Sequence, residues 1–148
     1  MPSYVSPLRY EGERIYAAAV YCSDGRLGDH IDEFLHKGLG LPRYDRLACP
    51  GGPAALSGRL TASWESRFVE EHLKFLVRVH GIKRVVLIAH QGCAYYSQHL
   101  RIPDASIDAE QLQDLEKAHS AARRLLPGVH VEPYMAKVIG AEVRLHPV

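Results

Sequence analysis

Five residues have the types and spacings from which a chemical site can be built: Cys22, Asp24 and Arg26 in one short run, then His90 and Cys93 far downstream. His90 and Cys93 are three apart, so at a strand-to-helix turn both can face one point, as positions i and i+3 do on a helix. Cys22 and Asp24 are two apart and fall on one side of an extended chain. Two thiolates and one imidazole form a zinc-binding set. With three protein ligands the fourth tetrahedral position stays open, as in a catalytic rather than a structural centre. Such a position holds water whose pKa the metal lowers towards neutrality.

Two thiolates also cancel the formal charge of the ion, so the water is acidified less than at an all-histidine centre. A neighbouring group is then needed to orient and deprotonate it. Asp24 is the candidate, because a carboxylate accepts hydrogen bonds. Arg26 is its natural clamp, since a planar guanidinium holds a carboxylate by two bonds. Released from Arg26, Asp24 would be able to swing onto the metal and close the site.

These residues need elements to position them. Ile15 to Tyr21 is an almost unbroken apolar run, short enough for a strand buried on both faces, and it ends at Cys22. Asp29 starts a short helix bearing Ile31, Phe34 and Leu35, closed by Gly38 and Gly40. Tyr44 to Cys49 reads as a second strand, followed by a loop through Pro50, Gly51, Gly52 and Pro53. Ser63 opens a stronger helix, stopped by Gly81, whose apolar stripe is expected to be Trp64, Phe68, Phe75, Leu76 and Val79. Arg84 to Ala89 is the clearest strand and runs straight into His90. A helix from about Ser106 to Leu126 follows, with Leu112, Leu115, Ala122 and Leu126 on one face, and closing strands lie within Val129–Ile139 and Val143–Leu145.

Strands alternating with helices predict an α/β fold: a mostly parallel β-sheet flanked by helices on both faces. In such sheets, sites form beyond the carboxyl ends of the strands, where the winding reverses. Cys22 and His90 both occupy strand-end positions. The length, 148 residues, matches one domain spanning 1–148, with 1–13 as an N-terminal arm. A net charge of +1 gives no electrostatic case for a nucleic acid or an anionic membrane surface as partner. No apolar run approaches the roughly 20 residues of a transmembrane helix, and residues 1–13 lack the apolar core of a signal peptide. A cytoplasmic location is the expectation, and there three cysteines point to metal binding or catalysis rather than cross-linking.

The order Cys22-x-Asp24-x-Arg26, then His90-x-x-Cys93, resembles the signature of the β-class carbonic anhydrases. The stretch Arg46-Leu47-Ala48-Cys49-Pro50-Gly51-Gly52 stands where that family has an Arg-Asn-Ala-Gly-Gly-like loop. The similarity runs from about Tyr16 to Cys93 and, more faintly, through Tyr134 and Gly140. It implies one zinc per chain on Cys22, His90 and Cys93, with Asp24 and Arg26 as a catalytic dyad. It implies reversible hydration of carbon dioxide to bicarbonate by zinc-bound hydroxide, in a homodimer or higher homo-oligomer in which apolar residues of a neighbour complete the pocket. Tyr4, Tyr10 and Leu27 are candidates for that part. The chain departs from the pattern at Leu47, where the family has asparagine, and at Ala94, where it has glycine, and Tyr95-Tyr96 adds bulk beside the last ligand. Two alternatives stay open: a hydrolase of carbonyl sulfide or carbon disulfide, and a non-catalytic zinc-binding module.

The remaining candidates are read as structural. Cys49 is expected to be a small buried hydrophobe rather than a fourth ligand, and Gly51-Gly52 to serve the turn first and wall the site second. His72 and His119 are expected to pack with a hydrogen bond. His30 and His36 are able to titrate near neutrality and so to shuttle protons near an entrance, but no such role is assigned to either, while His80, His99, His130 and His146 show no ligand spacing.

Overall fold

The computed structural model describes residues 1–59 and 63–148. Its framework is a five-stranded sheet: β1 (Ala17–Cys22), β2 (Asp45–Cys49), β3 (Arg84–His90), β4 (His130–Ile139) and β5 (Glu142–Pro147). The spatial order is β2-β1-β3-β4-β5. The first four strands are parallel, and β5 returns antiparallel to β4. β1 is buried along its whole length and β3 from Val85 onward, which is why both read as near-continuous apolar runs rather than alternating ones.

Helices cover both faces. Helix α1 (Gly28–Glu33) continues into a π-helical turn, Phe34–Gly38, and packs Ile31 and Leu35 against Ala17, Ala19, Val86 and Ile88. On the opposite face α2 (Trp64–His80) and α3 (Asp104–Leu125) pack Val69, Leu73, Leu115 and Ala118 against Ala18, Val20, Val85 and Leu87. The chain therefore winds from β1 outward to β2 over one face, then crosses back over the other to β3 on the far side of β1. The winding reverses between β1 and β3, where a parallel sheet opens a crevice at its carboxyl edge.

The caps of α2 fall where the sequence placed them. Ser63 accepts a 3.1 Å bond from the Ser66 amide, and Gly81, at φ +71°, donates its amide to the Val77 carbonyl. The expected stripe on that helix needs correction. Leu76 is buried, but Trp64, Phe68, Phe75 and Val79 are exposed, and the core face is formed by Ser66, Val69, Leu73 and Leu76. Residues 64, 68, 75 and 79 do share a face at 100° per residue, as do 66, 69, 73 and 76. The helix carries two apolar stripes, and periodicity alone does not say which one meets the sheet.

Three short segments differ from expectation. The loop after Cys49 continues into a fully buried 3₁₀ turn, Gly52–Leu56. A π-helical turn, Tyr95–His99, follows Cys93. Helix α3 starts at Asp104, two residues early, because Pro103 ends the preceding segment and leaves the helix free to begin after it. On α3 Leu115, Ala122 and the following Leu126 are buried as expected, but Leu112 is exposed. This difference is measurable. Leu115→Ala is expected to lower the unfolding free energy by about 2–5 kcal/mol, and Leu112→Ala by under about 1 kcal/mol, in urea titrations read by circular dichroism. Equal costs would contradict the helix orientation.

Candidate metal centre

Cys22 ends β1 and His90 ends its neighbour β3, so adjacent parallel strands deliver both residues to the same edge of the sheet. Cys93 follows His90 after a turn at Gly92, whose φ of +70° is open to glycine at little cost. One donor atom from each of Cys22, His90 and Cys93 lies within 4.8 Å of the others, and all three residues are buried. This is the one cluster of its kind among the described residues.

The donors fit a tetrahedral metal. The Cys22 and Cys93 sulfurs are 3.7 Å apart; two ligands at zinc–sulfur distances of about 2.3 Å and a tetrahedral angle stand about 3.8 Å apart. His90 Nδ1 lies 3.2 Å from the Gln91 carbonyl oxygen. That acceptor holds the proton on Nδ1 and leaves Nε2 with a bare lone pair. His90 Nε2 is buried without a hydrogen-bond partner, one of two such side-chain atoms among the described residues. An orphaned acceptor beside two sulfurs is what a coordinated cation would satisfy.

The thiols are electrostatically paired. The Cys22 thiol is lowered, chiefly because the Cys93 thiol donates to it, against the effect of burial and with help from His90 and nearby backbone. The Cys93 thiol is raised by that same bond and by burial. Two thiolates this close repel each other, so the pair keeps one proton between them, and a divalent cation is what would displace it. Cys49 pairs in register with Cys22 across β1 and β2, yet it is outside the donor cluster. Burial, and then the Cys22 charge, push its thiol up to about 11, so it stays protonated.

Asp24 also stands apart from the cluster. Arg26 holds it: Nε donates to Oδ1 at 3.0 Å, Nη2 to Oδ2 at 2.6 Å, and the Arg26 amide to Oδ1 at 3.1 Å. These bonds hold the Asp24 carboxyl at about 2. Two cavities flank the centre. The larger, about 690 Å³, is lined by all three donor residues and walled by Trp64, Phe68 and Tyr95. The smaller, about 450 Å³, is lined by Asp24, Arg26, His30 and His90.

A family model described as "Putative carbonic anhydrase" matches residues 12–141. The chain belongs to that family. Solved structures share its fold: a carbonic anhydrase from Glaciozyma antarctica at 18% identity (TM-score 0.52, covering 88% of this chain and 80% of the other); the β-carbonic anhydrase CcaA at 10% identity (TM-score 0.59, 91% and 74%); and the β-carbonic anhydrase CafD of Aspergillus fumigatus at 13% identity (TM-score 0.52, 90% and 89%). A sequence search of curated proteins finds no match. The chain is thus a divergent carbonic anhydrase-like protein with the β-class fold.

Within this carbonic anhydrase-like site the glycine pair does more than turn the chain. A Cβ on Gly52 would stand 2.7 Å from the Tyr21 carbonyl carbon and 2.8 Å from the Cys22 nitrogen; one on Gly51 would meet the Tyr95 ring at 2.4 Å. Gly52 therefore lets the 3₁₀ turn press against the backbone of Tyr21 and Cys22. Leu27 is buried on the α1 face of the sheet, where it also lines the smaller cavity, whereas Tyr4 and Tyr10 are exposed. His36 lies against Tyr44, and His119 Nε2 and His72 Nδ1 contact backbone carbonyls.

The sequence reading missed His99, which stacks on Tyr95 in the wall of the larger cavity. It also missed Gln111 and Asp114, buried polar residues of α3. Gln111 falls in step with Leu115, Ala118 and Ala122, a polar residue on an apolar stripe, and that was the available signal.

The clamp on Asp24 has a pH signature. A depressed carboxylate pKa means the Asp24–Arg26 contact is complete above the ordinary value near 3.8 and is lost as pH falls through about 2. Titration of the Asp24 carboxyl carbon by NMR is expected to give a midpoint near 2, and Arg26→Ala to move it up towards the ordinary carboxylate range. An unchanged midpoint in the variant would contradict the clamp.

Proposed function

We propose that this chain is a zinc-dependent carbonic anhydrase that interconverts carbon dioxide and bicarbonate, with Cys22, His90 and Cys93 as metal ligands and Asp24 and Arg26 as the catalytic pair. The observation that carries the reading is a buried three-donor cluster beside a carboxylate that Arg26 holds back. A closed four-ligand site would draw in Asp24 or Cys49, and neither is among the clustered donors.

When bound, zinc supplies the Lewis acidity that turns water into a nucleophile near neutral pH. The chain's own groups do the rest. Asp24, ionised across the neutral range, accepts a hydrogen bond from the reacting water and orients it. Arg26 fixes that carboxylate by two bonds and keeps it off the ligand set. Trp64, Phe68 and Tyr95 wall the cavity with apolar surface suited to a small linear molecule without charge. Burial pushes the Tyr95 hydroxyl up to about 12, so it adds no charge there.

The same apolar wall suits carbonyl sulfide or carbon disulfide, and the assay separates these substrates. Stopped-flow hydration of carbon dioxide, on protein of measured zinc content, is expected to scale with bound zinc. Asp24→Ala is expected to keep stoichiometric zinc and lose about 100-fold or more in kcat. Full zinc occupancy with no hydration at any pH would sink this reading and turn attention to the sulfur substrates or to a non-catalytic module. Loss of zinc in Asp24→Ala would make Asp24 a ligand instead.

We also propose a homodimer. Phe75 and Val79 extend the exposed apolar stripe of α2 away from the cavity rim at Trp64 and Phe68, and the arm adds exposed Tyr4, Val5, Leu8 and Tyr10. An exposed apolar stripe of this kind on α2 marks association. Sedimentation equilibrium is expected to give twice the chain mass, reduced to one chain by Phe75→Asp with Val79→Asp. A monomeric wild-type protein would contradict it.

A further inference from the structure

Helix α3 buries two polar side chains to which the proposed reaction gives no role. Gln111 and Asp114 are 2% and 1% exposed, on the face that also carries Ile107, Leu115, Ala118 and Ala122. An amide or a carboxylate in such a place costs free energy unless its bonds are made, and an aliphatic residue would avoid that cost. Their bonds run to the turn that bears the metal ligands, with Arg59 as counter-charge.

Gln111 Nε2 donates to the backbone carbonyl of His90 at 2.7 Å. A carbonyl can only accept, so this bond fixes the amide with its NH₂ towards His90 and leaves Oε1 buried without a partner. Three residues on, Asp114 Oδ2 accepts a 3.0 Å bond from the Tyr96 hydroxyl. Arg59 braces the same carboxylate, with Nε donating to Oδ2 at 2.7 Å and Nη2 to Oδ1 at 3.0 Å. Tyr96 in turn donates its amide to the Cys93 carbonyl at 3.0 Å. One helix face thus holds the ligand turn at both ends, His90 through Gln111 and Cys93 through Asp114 and Tyr96. Between them the Gln91 amide is tied to the Ala136 carbonyl on β4.

We infer that Gln111 and Asp114 are positioning residues: from adjacent turns of α3 they set the backbone of His90 and Cys93 so that imidazole and thiolate meet the ion in a preset geometry. This rests on the zinc reading above. A rigid helix is well suited to the task, because partners behind the ligands fix their orientation and tune affinity as much as the ligands permit. The retained amide with one unmet acceptor is the strongest sign, since packing alone gives no reason for it.

The test uses zinc affinity by chelator competition, together with the visible absorption of the cobalt-substituted protein, which reports ligand geometry independently of turnover. Gln111→Met keeps length and shape but removes the donor. It is expected to weaken zinc binding about 10–100-fold and to shift the cobalt bands. Asp114→Asn is expected to do the same, and Tyr96→Phe, which removes a single oxygen from the same contact, to act in the same direction more weakly. Leu115→Ala, a core truncation on the same helix, is expected to lower fold stability yet leave affinity and cobalt bands as in the wild type. Wild-type affinity and bands in both Gln111→Met and Tyr96→Phe would overturn the inference, even if both variants are less stable. If Asp114→Asn does not fold, Tyr96→Phe decides that half alone. A wild-type chain that takes up neither metal overturns the zinc reading and this inference together, whereas failure confined to the variants leaves the zinc reading standing.

Discussion

The centre depends on β1 and β3 ending side by side. They are parallel neighbours, in register from Ala17 opposite Arg84 to Tyr21 opposite Ile88, and the winding of the chain reverses between them. Cys22 and His90 are the residues at which each strand stops. A one-residue slip of either strand would turn its last side chain to the opposite face and separate sulfur from imidazole. Burial along all of β1 and along β3 from Val85 onward protects against that slip, because those side chains are packed on both faces. The apolar core and the donor cluster are in this sense built together.

Charge is the second constraint. Two sulfurs 3.7 Å apart and a buried imidazole lone pair make a concentration of electron-rich atoms that a low-dielectric interior does not favour by itself. A divalent cation would resolve it. The neighbouring carboxylate would add a further negative charge, and Arg26 neutralises it outside the donor cluster. Asp24 is thus kept apart from the donor cluster, and the separation is made by a guanidinium that is itself largely in solvent.

Much of this was legible in the sequence because the signals were local. The runs ending at Cys22 and His90, the capping Ser63 and the stop at Gly81 each carry their own instruction. The same holds for the Cys22–Asp24–Arg26 spacing, whose backbone places guanidinium and carboxylate within reach two residues apart. What stayed hidden depends on contacts between distant segments. The two apolar stripes of α2 are equivalent until the sheet chooses Val69 and Leu73 over Phe68 and Phe75. The role of Gly52 depends on the backbone of Tyr21 and Cys22, thirty residues earlier in the chain. Gln111 and Asp114 look like ordinary polar helix residues until α3 is laid across the end of β3. The fold was thus readable element by element, and the Cys22–His90–Cys93 donor cluster by spacing, but the buried polar groups of α3 that bond to its turn were not.

The central claim is an ion held by two sulfurs and one imidazole, with a single position left over. X-ray absorption at the zinc edge of the purified, zinc-loaded protein tests it most directly. The account predicts two sulfur scatterers at about 2.3 Å and two nitrogen or oxygen scatterers at about 2.0–2.1 Å, one of them with the outer-shell pattern of imidazole. Three sulfur scatterers, which would bring Cys49 onto the metal, or a shell without imidazole, would contradict it.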